Sequence, residues 1–254
     1  MIHSGEAGPH IVCGPVSGSR ARRLVGGFTL VELLTVVGVV AILFCLAVPV
    51  ISSGAMAANR ARCASNLRQI GQAILLYAGD HDGVLPVTSH STGDSRLKIN
   101  GKWLSSIEYS WIYLLADYLD NVDEVRVCPA DERSRQRQIL QMNATSYLLN
   151  DMVFDSEVYG RFQNLPHPSR LMLAFISNRP VSRTWDHAHC ANWTTWPALT
   201  TDVAVDRHRT GERIGSRLNG SANYLFADGH VQTMEAAEVK GMLDRGERPW
   251  LPGG

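Results

Sequence analysis

The stretch "GGFTLVELLTVVGVVAILFCLAVPVI" at residues 26–51 decides the fold, and Glu32 is its one charged residue. As an α-helix, residues 28–51 would span about 36 Å at about 1.5 Å per residue. The hydrocarbon core of a bilayer is about 30 Å thick, so this length suffices for one crossing. Arg20, Arg22 and Arg23 precede the stretch and predict a cytoplasmic N-terminus. Everything after residue 52 would then lie outside the cytoplasm.

Two other interpretations of this stretch remain open. In the first, it is a secretory signal peptide cut at the small residues "AMA" at 55–57, so that the mature chain starts at Ala58. In the second, it is a plain membrane anchor. Neither explains Glu32, because a carboxylate at the centre of a membrane helix costs about 3 kcal/mol unless it has a partner or a function. The mature N-terminus distinguishes these interpretations.

The segment "GGFTLVELL" at 26–34 resembles the processing motif of type IV prepilins and type II secretion pseudopilins. The resemblance implies that a prepilin peptidase cuts between Gly27 and Phe28 and that Phe28 is then N-methylated. It also implies that Glu32 pairs with the α-amino group of a neighbouring subunit's Phe28, which is charged at neutral pH. The alternative for Glu32 is that it reaches the membrane interface from the helix end.

Pro49 stands where many pilins have a helix-kinking proline, so we expect a bend there, or else the end of the helix. Apolar periodicity favours a helix that continues to about residue 78. The residues that carry it are spaced by four, three, four and three positions: Cys63, Leu67, Ile70, Ile74 and Tyr77. The following "GDHDGVLP" at 79–86 contains the glycines and proline that end a helix.

A second resemblance covers most of the chain after residue 26. It is to planctomycete-type pilin-like proteins with a C-terminal Asp-Gly motif. The segments that carry it are "CASNLRQIGQAILLYAGDHDGVLP" at 63–86, "VCPAD" at 127–131, "SYLLN" at 146–150 and "DRHRTGERIGSRLNGSANYLFADGHV" at 206–231. One departure is an extended Arg/Gly-rich loop at 209–220 between His208 and Asp228, which argues against a fixed contact between those two residues.

The expected fold class is therefore α+β: a long N-terminal α-helix, half transmembrane and half packed on a small antiparallel β-sheet head. The predicted elements of the head are a helix at 110–119, strands at 124–129, 145–150 and 170–177, a hairpin at 223–234 that turns at Asp228-Gly229, and a helix at 235–246. The predicted organisation is a cytoplasmic leader at 1–27, a transmembrane helix at 28–51, its continuation at 52–80, the head at 81–246 and a flexible tail at 247–254.

The chain has five cysteines. Cys63 and Cys128 both lie in segments of the second resemblance, which favours a disulfide between them over two reduced, buried thiols. Such a bond would stabilise the chain by about 4 kcal/mol in the chain-entropy model, and Cys190 would be left over. His187, His189 and Cys190 in "TWDHAHCANWTTW" at 184–196 permit a metal site, but we favour an aromatic surface loop, and predict no metal.

The formal net charge is zero, and without the leader the chain carries 21 basic and 23 acidic residues, so we expect no nucleic-acid partner. No hydrolase, zinc-protease or phosphate-loop motif is present, so we expect neither an enzyme nor a cofactor. The expected function is that of a structural subunit of a pilus or secretion filament in the cytoplasmic membrane. Its partners would be prepilin peptidase, other pilin-like subunits and lipid. The alternative is a monomeric membrane-tethered binding protein, whose residues 28–51 would not crosslink to a second copy.

Overall fold

A computed structural model describes residues 28–89, 96–99, 102–105, 110–120, 122–154, 156–208 and 217–253. The side chains of residues 47–52 and 96–105 are outside that description, as are the leader with Gly27 and most of the Arg/Gly-rich loop. The chain divides into two compact units, residues 1–47 and residues 48–254.

Helix α1, Leu30–Asp80, is the longest element and belongs to both units. Its end agrees with the predicted end near residue 78, and the helix does not stop at Pro49. The bend expected at Pro49 stays a prediction. Within residues 48–80, the predicted apolar stripe is buried: Cys63, Leu67 and Ile70 are 0% exposed, Ile74 1% and Tyr77 6%.

The sheet of the second unit has five strands in the order β5-β3-β4-β6-β7. These are β3 Tyr147–Asn150, β4 Met172–Ile176, β5 His187–Ala188, β6 Ser221–Phe226 and β7 Val231–Glu235. A separate antiparallel pair is formed by β1 Arg96–Ile99 and β2 Lys102–Ser105. The expected α+β class is confirmed, and so are the predicted strands at 145–150 and 170–177.

The expectation of a purely antiparallel sheet was wrong, because β5 pairs with β3 in parallel while the other neighbours are antiparallel. Strand β5 has two residues and lies inside the segment that we interpreted as a surface loop. Its pairing partner β3 is distant in sequence, so no local alternation of apolar and polar residues predicts β5.

Helices of the second unit are short apart from α1. They are α2 Trp111–Leu114, α3 Arg133–Gln141, α4 Asp151–Phe154, α5 Trp196–Asp202 and α6 Ala236–Asp244. Helix α6 confirms the predicted C-terminal helix. The predicted helix at 110–119 is instead α2 followed by a 3₁₀ turn at Asp117–Leu119.

The predicted strand at 124–129 was wrong, because Asp123–Arg126 form a 3₁₀ turn. The physical reason is Arg126, which alternation would place on the exposed face of a strand but which is only 4% exposed. Its guanidinium donates to the Asp123 carboxylate and to the carbonyls of Ile139 and Ala144. A turn lets the arginine reach these inward-facing acceptors.

Within the second unit, α1 approaches β6 closely at Gly71. A Cβ atom on residue 71 would lie 2.8 Å from Cδ1 of Leu225. About three helical turns earlier on α1, the carbonyl of Arg60 accepts a hydrogen bond from the side-chain amide of Asn223 at 2.9 Å. The helix is thus joined to the sheet by both apolar and polar contacts.

The β6–β7 hairpin confirms the predicted turn at Asp228-Gly229. Gly229 has φ of +88°, the left-handed conformation that glycine adopts without strain. Its N–H donates to the carbonyl of Phe226, and the N–H of Phe226 donates to the carbonyl of His230. This is a three-residue loop, one residue longer than the shortest hairpin turns.

Residues 247–253 differ from the predicted flexible tail. Trp250 is 1% exposed and its ring contacts that of Trp193 with centroids 5.7 Å apart. The side-chain amide of Asn150 donates to the Trp250 carbonyl at 2.7 Å, and Met172 N–H donates to the Pro249 carbonyl at 2.8 Å. The segment therefore closes the ends of β3 and β4.

Candidate functional site

Three side chains with metal-ligating or redox chemistry meet inside the second unit. The sulfurs of Cys63 and Cys128 and a ring nitrogen of His208 all lie within 4.8 Å of one another. Cys63 and Cys128 are 0% exposed and His208 is 4% exposed. We call this group the thiol–imidazole cluster.

Each member of the cluster comes from a different part of the fold. Cys63 lies on the buried face of α1, and Cys128 follows the 3₁₀ turn at Asp123–Arg126. His208 forms an isolated antiparallel bridge with Ser221, the first residue of β6. Because residues distant in sequence converge here, the cluster exists only in the folded chain.

A polar network holds the Cys128 loop in place. The N–H of Cys128 donates to Oγ of Ser146 at 2.8 Å, and that hydroxyl donates to Oδ2 of Asp131 at 2.6 Å. Asp131 also forms ion pairs with Arg135 at 3.2 Å and Arg207 at 3.0 Å. Since Arg207 directly precedes His208, one buried carboxylate positions two members of the cluster.

The two thiols have opposite pKa shifts. Burial raises the pKa of Cys63, but hydrogen bonds with Cys128 and His208 lower it by more, so that it lies well below its ordinary value. The hydrogen bond with Cys63, and then burial, raise the pKa of Cys128 well above its ordinary value. Cys63 is therefore the thiol of the pair whose pKa is lowered, and the hydroxyl of Tyr147 also donates to its sulfur at 3.6 Å.

The two ring nitrogens of His208 have different surroundings. Nε2 lies 3.4 Å from Nδ2 of Asn223, whose Oδ1 accepts a hydrogen bond from the Thr233 hydroxyl at 2.7 Å. Nδ1 is buried and has no hydrogen-bond partner within the described residues. A buried ring nitrogen without a partner is costly, and in native proteins it calls for an explanation such as a bound ion.

A cleft of about 420 Å³ opens beside the cluster and includes His208 in its wall. Its other polar walls carry both signs of charge, with Glu132 and Asp206 against Arg207 and Arg217. Mixed charge gives the cleft no strong preference for anions or cations. The cleft connects solvent with the otherwise buried imidazole of His208.

The structure brings the predicted disulfide partners together, and both are free thiols. The disulfide itself stays a prediction. The third member, His208, was missing from our predicted site. His208 lies in the segment "DRH", which belongs to the second resemblance and marked the residue as a candidate. Nothing local in the sequence, however, links it to two distant cysteines.

The predicted aromatic surface loop at 184–196 was partly wrong. Trp193 is 1% exposed and its ring contacts Phe175 edge-on, with centroids 4.8 Å apart. Nδ1 of His187 lies 2.9 Å from Asp186, and the N–H of Cys190 donates to Asp151 at 2.9 Å. Apolar packing and carboxylate contacts account for this segment, which therefore offers no continuous aromatic surface.

Asp228 lies in the hairpin turn, away from His208, as the long intervening loop led us to expect. Its Oδ1 accepts hydrogen bonds from the N–H and the ring of His230. Burial raises the pKa of Asp228, but these bonds lower it by more, so the pKa lies below its ordinary value. Asp228 thus organises the turn.

The predicted assembly residues lie in the first unit, at the start of α1. Phe28 is 71% exposed. Thr29 is the N-cap of the helix, and its Oγ1 accepts a hydrogen bond from the N–H of Glu32 at 3.2 Å. In return, Oε2 of Glu32 accepts from the N–H of Thr29 at 2.9 Å and from the Thr29 hydroxyl at 2.7 Å. This reciprocal arrangement is a capping box. Our sequence reasoning missed it, although Thr-x-x-Glu is its known signature.

Apart from Thr29, Glu32 and Thr35, the side chains from Phe28 to Leu46 are apolar and exposed all round the helix. The large ones are between 42% and 79% exposed: Phe28, Leu30, Val31, Leu33, Leu34, Val36, Val37, Val39, Val40, Ile42, Leu43, Phe44 and Leu46. A search limited to the described residues finds no helix with an apolar window long enough to cross a membrane.

Comparisons with known proteins return no match: no protein-family model, no curated protein and no solved structure matches this chain.

Proposed function

We propose that the protein is a pilin-like or pseudopilin-like subunit of a type IV pilus or a type II secretion filament. Prepilin peptidase would cut it after Gly27 at the cytoplasmic membrane, with the leader inside and the head outside. Residues 28–51 would lie first among lipids and then among the same segments of other subunits. The observation that carries this proposal is the apolar, exposed surface of residues 28–46, which begins directly after the Gly-Gly pair.

The physical argument starts from that surface. A helix that is apolar all round is found inside a large protein or a membrane, because water around it is unfavourable. The described residues of the first unit contain nothing that covers these side chains, which range up to 79% exposure at Leu30. Lipid tails and neighbouring apolar helices are the two environments that can.

The second argument concerns Glu32. Both of its hydrogen bonds to Thr29 use Oε2, and Oε1 makes none among the described residues. A neighbouring subunit's α-amino group could therefore bind Oε1 while the capping box remains intact. Cutting after Gly27 creates that amino group on Phe28, four residues away from the carboxylate along the chain.

The first test is the N-terminal sequence and intact mass of the protein from its native membrane, with and without prepilin peptidase. We expect a chain that starts at N-methylated Phe28 and appears only with the peptidase. A chain that starts at Ala58, or an uncut chain, would contradict the proposal. A start at Ala58 would indicate a secreted domain, and an uncut chain would indicate a tethered binding protein.

The capping box makes a sharper test of assembly possible. Glu32→Gln retains the capping geometry, since glutamine serves at this position, but removes the charge. Thr29→Ala retains the charge and removes the cap. If Glu32 pairs with an amino group, Glu32→Gln abolishes crosslinking between residues 28–51 of neighbouring subunits, while Thr29→Ala leaves most of it. The reverse pattern would mean that Glu32 only caps the helix.

A further inference from the structure

We propose that Cys63, Cys128 and His208 bind one thiophilic metal ion, and that Zn²⁺ is the ion they suit best. Two sulfurs and one imidazole are a known ligand set for zinc, which takes nitrogen and sulfur donors in tetrahedral geometry. The site is independent of the filament proposal, because all three ligands belong to residues 48–254.

The distances allow the three donors to share one ion. They already lie within 4.8 Å of one another. Two sulfurs bound at about 2.3 Å to one tetrahedral ion stand about 3.8 Å apart, so closure requires a shift of about 1 Å at most. Rotation about the side-chain bonds of the two cysteines provides a movement of that size without displacing α1.

His208 is the third donor. One of its ring nitrogens lies within 4.8 Å of both sulfurs, and the residue is only 4% exposed. A disulfide between Cys63 and Cys128 would leave the imidazole unused, whereas a metal ion would use it together with both sulfurs.

The groups around the cluster hold the donors in position. Ser146 accepts from the N–H of Cys128 at 2.8 Å, and the same hydroxyl donates to Oδ2 of Asp131 at 2.6 Å. Such contacts orient metal ligands in known sites and commonly change affinity by about 10–100-fold when they are removed.

Three protein ligands leave a fourth position for water or another small donor. The cleft of about 420 Å³ has His208 in its wall, so an ion in the cleft lies against one of the three ligand residues. A metal site needs an entry path, together with correct ligands and supporting contacts.

The test uses the full chain in detergent, reduced with a phosphine under anaerobic conditions and stripped with EDTA. Titration with Zn²⁺ alone should give one bound equivalent by elemental analysis. Titration with Co²⁺ should give visible bands of a tetrahedral ion and a thiolate-to-metal charge-transfer band. Cys63→Ser, Cys128→Ser and His208→Gln should each lower Zn²⁺ affinity by more than about 100-fold, exceeding the effect of losing a supporting contact.

The matched control is Cys190→Ser, which also removes a buried free thiol, 1% exposed, but one outside the cluster. It should bind Zn²⁺ like the wild type. If a cluster variant does not fold, alkylation of the wild-type chain in moderate urea gives the same information. Both cluster cysteines are 0% exposed in the folded chain and react only when it opens, so Zn²⁺ should slow their alkylation and leave that of Cys45 unchanged. Cys45 is an exposed free thiol.

Three results would overturn the proposal. The first is a reduced chain that binds no Zn²⁺. The second is equal binding by the wild type and by all three cluster variants, which would indicate adventitious binding. The third is a Cys63–Cys128 disulfide in the protein isolated from its own membrane, because the same sulfurs cannot serve both purposes.

Discussion

The two halves of helix α1 use apolar side chains in opposite ways. Between Leu30 and Leu46 the large side chains are exposed by 42% or more, whereas Leu67, Ile70 and Ile74 are exposed by 1% or less. The first half is apolar all round and the second has one apolar stripe. A stripe matches a surface within the same chain, whereas an all-round apolar helix requires a partner outside it. The following predictions test that contrast.

The largest expected effect comes from removing a buried side chain of the second half. Leu67→Ala should lower the free energy of unfolding of the head by about 4 kcal/mol, because it leaves a cavity where no water or neighbour compensates. All six tryptophans lie between residues 103 and 250, so tryptophan fluorescence during urea unfolding follows this unit alone.

Leu34→Ala is the matched control in the first half, at a side chain that is 68% exposed. It should change the unfolding free energy of the head by no more than about 0.5 kcal/mol. A large effect of Leu34→Ala, or none from Leu67→Ala, would remove the contrast between the halves.

The next largest effect concerns the loop that carries Cys128. This loop contacts the second half of α1, where the side-chain amide of Asn66 donates to the Val127 carbonyl at 3.0 Å. Asp131→Asn should lower the unfolding free energy by about 3 kcal/mol, because Arg135 and Arg207 lose a buried counter-charge. Chemical denaturation of the full chain measures it. Glu247→Gln, which breaks an exposed pair with Arg245 at 2.7 Å, should leave stability unchanged, and an equal loss in both variants would refute this account.

A smaller effect concerns the hairpin turn that touches the second half. Gly229→Ala should destabilise by about 1–2 kcal/mol from the left-handed backbone alone. A Cβ there would also lie 3.3 Å from Cδ1 of Leu75 on α1. Gly246→Ala carries the same backbone strain, with φ of +80°, and meets nothing within 4 Å. Thermal melts of both variants should therefore show the larger loss for Gly229→Ala, and equal losses would mean that the Leu75 contact is unimportant.

The smallest effect is the pH dependence at Asp228. Because its folded pKa lies below the ordinary value, its charge stabilises the fold above about pH 4, and that stabilisation is lost as pH falls through the folded pKa. The side chain is 38% exposed, so solvent screening limits the effect to less than about 0.5 kcal/mol. Asp228→Asn should be slightly less stable than the wild type at pH 6 and equal to it at pH 2.5. A difference that persists at pH 2.5 would show that the charge is not its cause.

Predictions from sequence succeeded where the signal was local. The stripe from Cys63 to Tyr77 predicted the buried face of α1, and Asp228-Gly229 predicted the hairpin turn, since both follow from backbone geometry and side-chain spacing over a few residues. Predictions failed where a distant contact overrode the local pattern. Arg126 turns a strand-like segment into a 3₁₀ turn, and β5 pairs with β3 through two residues only.

The sequence by itself determined the long helix, the α+β class and the apolar N-terminal segment with a single carboxylate, because helix periodicity, turn residues and hydropathy act over short distances. Only the tertiary structure decided that His208 joins Cys63 and Cys128, and that Trp250 belongs to the core. Those contacts join residues up to about 145 positions apart, and a chain acquires such neighbours only when burial of its apolar surface compensates for the entropy of bringing them together.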